Sequence, residues 1–241
     1  MMIDTFLPAL VDEASSRFRT AGHFAYHYAR GKLSGDCIFR EILARGLFPA
    51  EAHFLDLGCG QGSLFAWLLA ARRLYERDVW PATWPTPPRP LHLLGYELMS
   101  RDVERAARAF GECEPLVDIR QGDMCQANFG TPDVVTILDA LHYVDFDRQE
   151  DLLRKIREAL PPQGLFLTRI GDAGAGFPYH LCTWVDHAVT FVRGHRLSRL
   201  YGRKLADWLS LLQGLGFSVE AQPMSAGKPF ANVMLVCRVA A

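Results

Sequence analysis

The densest chemistry in the chain lies in Phe54-Leu55-Asp56-Leu57-Gly58-Cys59-Gly60-Gln61-Gly62-Ser63-Leu64, where an acid, a thiol and three glycines separate two apolar runs. A strand that meets a helix through such glycines turns tightly enough for a ligand to approach the backbone. A dinucleotide wants Gly-x-Gly-x-x-Gly, with its pyrophosphate on the helix N-terminus. Here glycine falls one residue early, at 62, and Ser63 stands in the third place. Asp56, at the strand end, would also repel a pyrophosphate. An acid at that point suits a cationic ligand that carries an ammonium group.

The other reactive side chains are dispersed. Cysteines at 37, 59, 113, 125, 182 and 237 form no Cys-x-x-Cys pair, and the eight histidines show no metal-ligand grouping, so no metal is expected. His23 and His27 stand one helical turn apart and read as packing. Arg196, Arg199 and Arg203 share one face of a helical wheel. That stripe is either a solvated face or a dock for an acidic partner or a phosphate.

The elements that must position these groups follow from periodicity. Residues 1–50 read as helices, with Phe6, Leu10, Ala14, Phe18, Phe24 and Tyr28 near the helical period, breaks at Gly22 and Gly31, and Asp36 capping a helix through Ala44. Strands are expected at His53–Leu57, Leu91–Tyr96, Leu116–Arg120, Asp133–Leu138 and Gly164–Ile170. Helices fall between them at Ser63 to about Tyr75, Ser100–Phe110 and Arg148–Leu160. Prolines 81, 85, 87, 88 and 90 make the 81–90 stretch a loop. Such alternation implies a parallel sheet covered by helices. Phe217–Ala221 and Val233–Val239, with no helix between them, read as an antiparallel pair at one edge, after an aromatic-rich helical insertion over 171–216.

Length and composition agree. The 241 residues suit one α/β sheet with its helices, 49% hydrophobic and 22% charged content is globular, and 26 basic against 27 acidic residues argue against a surface committed to nucleic acid or to an anionic membrane. The longest apolar stretch, Leu64–Ala71, is far short of the roughly 20 residues of a membrane span. With single cysteines and no basic leader, the chain reads as a cytoplasmic protein.

The segment Leu55-Asp56-Leu57-Gly58-Cys59-Gly60-Gln61-Gly62 resembles the first motif of the class I S-adenosylmethionine-dependent methyltransferases, a resemblance that extends over about 53–240. It implies a Rossmann-like sheet of seven strands, six parallel and the last antiparallel, with helices on both faces. Residues 1–50 would be a helical extension of that same domain, which would occupy 51–241. The cofactor implied is S-adenosyl-L-methionine, held by Asp56, Gly58, Cys59 and Gly60. Glu97, with Leu98 beside it, would take the ribose hydroxyls. Asp123 would take the adenine amino group with Met124 against the ring, and Asp139 would lie beneath the methionine part.

For such an enzyme the acceptor belongs beside the fourth strand, which is followed by Asp139-Ala140-Leu141-His142-Tyr143-Val144. The Asn/Asp-Pro-Pro-Tyr signature of amino-methylating relatives is missing, which argues against DNA amines and glutamine amides as acceptors. His142 is the candidate base, able to take a phenolic proton, or else one wall of the cofactor pocket; Tyr143 has the same two readings. Phe177, Tyr179, His180, Trp184, His187 and Phe191 could line an aromatic acceptor pocket. The runs Arg17 to Leu33, Arg193–Arg203 and Met224–Val233 further resemble methyltransferases associated with aryl-polyene and xanthomonadin-type pigment synthesis. That resemblance implies a hydroxyaryl acceptor, free or loaded on an acyl carrier protein. An RNA or protein methyltransferase using the basic stripe, and a non-catalytic binding module, are the alternatives.

Overall fold

The computed structural model describes residues 3–111, 116–176, 200–224 and 231–240. The chain divides into two compact units, Met1–Asn128 with Pro132–Val134, and Phe129–Thr131 with Val135–Ala241.

In the first unit, helices α1 (Ile3–Ser16), α2 (His23–Gly35) and α3 (Cys37–Ala44) precede β1 (Glu51–Leu57), α4 (Ser63–Glu76), β2 (Arg89–Glu97), α5 (Ser100–Phe110) and β3 (Val117–Gln121). The apolar series Phe6, Leu10, Ala14, Phe18 is buried, and α1 packs on α4. Helix α4 is apolar almost all round and buried from Ser63 to Ala71, as a helix enclosed on both sides must be. Its Trp67 indole N–H donates to the Phe39 carbonyl at 2.8 Å. The expected cap is present: the Asp36 side chain accepts from the Ile38 N–H at 3.2 Å.

Three local expectations fail here. Gly31 does not break a helix but lies inside α2, whose buried stripe of Ala25, Ala29 and Leu33 offsets the roughly 1 kcal/mol that a mid-helix glycine costs. Phe24 is 44% exposed; it stacks on Tyr28 and under Arg105 instead of joining the core. Pro90 belongs to β2, pairing with Ala52. The β1–β2 register shifts directly after that pair, so the strand accommodates a residue with no N–H to donate.

The second unit contains β5 (Leu165–Gly171), β6 (Phe217–Pro223), β7 (Asn232–Val239) and all but the first residue of β4 (Val134–Leu138). Among the described residues its α-helices are α6 (Phe146–Ala159) and α7 (Leu205–Gly214), the latter inside the 171–216 stretch. Helix α6 begins two residues before the expected Arg148, because the Asp145 carboxylate accepts from the Arg148 N–H at 3.0 Å and caps it. Thr168 Oγ1 ties β5 to the Ile137 carbonyl at 2.8 Å.

The strand order is β3-β2-β1-β4-β5-β7-β6. β1, β2 and β3 pair in parallel, and β7 is antiparallel to both β5 and β6, the mixed seven-stranded sheet expected. Among the described residues no helix is long and apolar enough to cross a membrane.

Candidate active site

In the first unit the site grows from the carboxyl ends of three parallel strands. Pairing of Leu57 with Tyr96, and of Glu97 with Gln121, places the chain turns after β1, β2 and β3 along one edge. Asp56 is 4% exposed at the end of β1. The turn beyond it has Gly58, Gly60 and Gly62 at φ of 78°, 58° and 86°, a left-handed series that favours glycine. The Gly58 and Cys59 N–H groups both donate to the Tyr96 carbonyl, at 2.8 and 3.1 Å.

Glu97 locks the turn from the side. Its Oε2 accepts the Gly60 N–H at 2.8 Å and its Oε1 the Met99 N–H at 2.9 Å. A carboxylate has about four lone-pair sites, so two stay available for hydroxyls of a ligand. At Gly60 a Cβ would meet nothing within 4 Å, whereas at Gly62 it would lie 2.6 Å from Phe110. The turn is therefore open on one side and packed solid on the other. Leu98, next to Glu97, is 63% exposed, an apolar surface beside a polar clamp.

Cys59 directs its sulfur at Gly95, where a Cβ would come within 2.7 Å. Burial pushes its thiol well above the usual range, and the Asp56 and Glu97 carboxylates push it further, so this cysteine is a packing residue and no nucleophile. After β3, Asp123 Oδ1 accepts the Cys125 N–H at 2.9 Å and shapes the turn that carries half-buried Met124. Gln61 was not singled out in the sequence. It is 1% exposed, and its Nε2 donates to the Ala25 carbonyl at 2.8 Å, so the glycine turn is bolted to α2. Its polarity inside a glycine-rich turn was the available signal.

The second unit carries Asp139, His142 and Tyr143. Asp139 ends β4 in the left-handed region at φ 60°. Arg169, from β5, holds it through a fork: Nε to Oδ1 at 2.6 Å, and Nη2 to Oδ2. Arg169 was missed in the sequence, although an arginine inside the apolar run Leu165–Ile170 requires a buried partner. His142 and Tyr143 lie in a 3-10 turn, Leu141–Tyr143, with ring centroids 4.2 Å apart, edge to face. Tyr143 is 41% exposed. Burial pushes the His142 imidazole below its usual value, opposed in part by the Asp139 charge. It is thus neutral at neutral pH, the form that can accept a proton.

The remaining candidates separate. His23 and His27 are both exposed on α2, with ring centroids 4.1 Å apart and tilted at 48°, so they touch each other at the surface and do not pack into the core. Arg203 is not a member of a solvated stripe: it bonds Gln149 Oε1, the Phe146 carbonyl and Glu150. Arg196, Arg199 and the aromatic candidates Phe177, Tyr179, His180, Trp184, His187 and Phe191 lie outside the described residues.

The acids and open glycine of the first unit fit S-adenosylmethionine. Asp56 would face its ammonium group, Glu97 its ribose hydroxyls, and Asp123 with Met124 its adenine.

Residues 55–166, a little under half of the chain, match the model of a family described as a methyltransferase domain. No curated protein matches the chain. Among solved structures, one chain of the complex between the Haloferax volcanii Trm112 methyltransferase activator and a methyltransferase is 16% identical, with TM-score 0.63 over 95% of this chain and 98% of that one. Magnesium protoporphyrin IX methyltransferase from Synechocystis PCC 6803, with bound SAH, is 15% identical, with TM-score 0.58 over 98% and 99%. Human N-acetylserotonin methyltransferase in complex with SAM is 15% identical, with TM-score 0.59 over 100% of this chain and 61% of that one. At these identities the neighbours speak for the fold alone, and the family model covers the glycine turn itself. Over 55–166 the chain is thus similar to a methyltransferase domain, on a fold that it shares with methyltransferases.

Proposed function

We propose that the protein transfers the methyl group to a small hydroxyaromatic acceptor, with His142 as the base. The observation that carries this reading is the 3-10 turn after β4, where a neutral imidazole adjoins the exposed ring of Tyr143. The ring offers an aromatic acceptor a face to pack on, and the imidazole takes its hydroxyl proton. Deprotonation raises electron density on the oxygen and on the ring carbon beside it, and either can then receive the methyl. S-adenosylmethionine, when bound, supplies an activated methyl carbon. The rest of the work is alignment: Asp56, Glu97 and Asp123 orient the donor. Two structural neighbours are named for small aromatic molecules, N-acetylserotonin and magnesium protoporphyrin IX, which supports an acceptor of that class.

The resemblance to aryl-polyene methyltransferases suggests a hydroxyaryl group on an acyl carrier protein. Engagement of Arg203 within its own unit removes one of the three arginines that such a carrier, or an RNA, would meet.

The test supplies S-adenosylmethionine with hydroxybenzoic acid, free and loaded on an acyl carrier protein, and reads the product by intact mass. The free acid is expected to gain one methyl, and His142→Ala to slow that transfer by about 10² to 10⁴-fold. Methylation of the carrier-bound group alone would move the acceptor to the carrier. A fully active His142→Ala would remove the base.

A further inference from the structure

Gln149 lies on α6 with none of its surface exposed, so its amide must find partners inside the protein. Its Nε2 group shares two hydrogens among three carbonyl oxygens: Leu141 at 3.0 Å, Val144 at 2.9 Å and Tyr201 at 2.9 Å. Its Oε1 accepts from Arg203 Nε at 3.0 Å. Arg203 Nη2 in turn donates to the Phe146 carbonyl at 3.0 Å and to Glu150 Oε1 at 2.8 Å. The guanidinium packs over the rings of Phe146 and Trp208, 4.8 and 5.7 Å from their centroids.

Leu141 and Val144 bracket His142 and Tyr143, and the His142 carbonyl itself accepts the Tyr201 N–H at 2.8 Å. Three of the turn's carbonyls are therefore held by one amide and by a segment more than fifty residues away. A neutral amide, which both donates and accepts, meets this need, whereas a carboxylate at 149 would set oxygens against three carbonyl oxygens. The planar fork of Arg203 bonds the amide oxygen, a carbonyl and a carboxylate in fixed directions.

We propose that Gln149 and Arg203 are positioning residues for His142: they clamp the turn that carries it and tie that turn to the 200–204 segment. The inference rests on His142 being the base. Its physical content is distance, since a reacting group displaced by about 1 Å costs on the order of 10²-fold in rate. It also means that a shift of the 200–204 segment is felt at His142 through the Tyr201 bonds.

The experiment uses the full chain and needs no acceptor. Hydrogen exchange is followed at the Tyr143 and Val144 amides, bonded in the turn to the Ala140 and Leu141 carbonyls, and the His142 imidazole is titrated by NMR. In Gln149→Leu the two amides are expected to exchange about tenfold faster or more while β5 and β7 keep their protection, and the His142 titration is expected to move up toward the ordinary imidazole value. Arg203→Lys, which keeps the charge but loses the fork, is expected to do the same to a smaller extent, and decides the matter should Gln149→Leu not fold. Unchanged exchange and titration in the folded variant would overturn the inference. Should His142→Ala lose activity all the same in the transfer assay, the base would survive without its clamp. Should the turn loosen as expected while His142→Ala keeps full activity, the failure would lie with the base, and the positioning role would fall with it.

Discussion

At the residue scale, the proposed donor site rests on two acids with different duties. Asp56 contributes charge from a buried strand end, whereas Glu97 holds a turn and presents its spare lone pairs. Glu97→Gln tests that double duty. One oxygen becomes an NH₂ group facing a backbone N–H, from Gly60 or Met99, and an unmade buried bond costs about 1–3 kcal/mol. S-adenosylmethionine binding, measured by calorimetry, is expected to weaken by about tenfold or more. His142 makes a prediction in pH. Because burial lowers its folded-state value below the ordinary 6.5, the proton-accepting form persists below that pH, and the acid limb of kcat should lie on the acid side of 6.5. The linkage has the matching sign: as pH falls, the unfolded chain takes the imidazole proton first, so stability declines below 6.5 and levels off once the folded state is protonated too. An acid limb above 6.5 in the rate profile would contradict this.

At the element scale, the unit that counts is β1, the glycine turn and α4. Its identity was legible because strand, turn and helix are contiguous and each obeys local rules: an apolar run, a left-handed glycine series and a continuous apolar helix. Gly62 carries most of the constraint, with φ 86° and no room beside Phe110 and Ile119. Gly62→Ala combines a strained backbone with overpacking, and about 2–4 kcal/mol of destabilisation is expected in urea unfolding. Gly60→Ala has the same backbone penalty without the clash, so it should cost less stability. A larger loss at Gly60 would mean that the open side of the turn has been misread. Helix α2 marks the limit of such reasoning. Glycine at 31 argued for a break, and tertiary packing of Ala25, Ala29 and Leu33 overruled it.

At the scale of the whole molecule, the N-terminal helices are integral to the first unit. Phe6, fully buried, meets Trp80 and Trp84 edge-on at 5.2 and 5.4 Å, so the proline-rich loop is packed against α1. Phe6→Ala should cost about 3–5 kcal/mol, a large share of the typical 5–15 kcal/mol of a folded domain. Denaturant unfolding would register it, and a loss under 1 kcal/mol would mean that α1 is loosely attached.

By itself the sequence determined the glycine-rich strand–turn–helix, the order of acids after successive strands and the antiparallel finish of the sheet. Each of these depends on neighbours within a few residues, where periodicity and backbone sterics act directly. Only the tertiary structure decided how those acids are held and what the other polar residues do. Arg169 reaches Asp139 across 30 positions, Gln61 reaches Ala25 across 36, and Gln149 reaches Tyr201 across 52. Arg203, which a helical wheel set on a solvated stripe, is drawn onto Gln149 and Glu150. A buried polar atom must be satisfied by whichever partner folding brings near it, and that partner leaves no periodic trace in the chain.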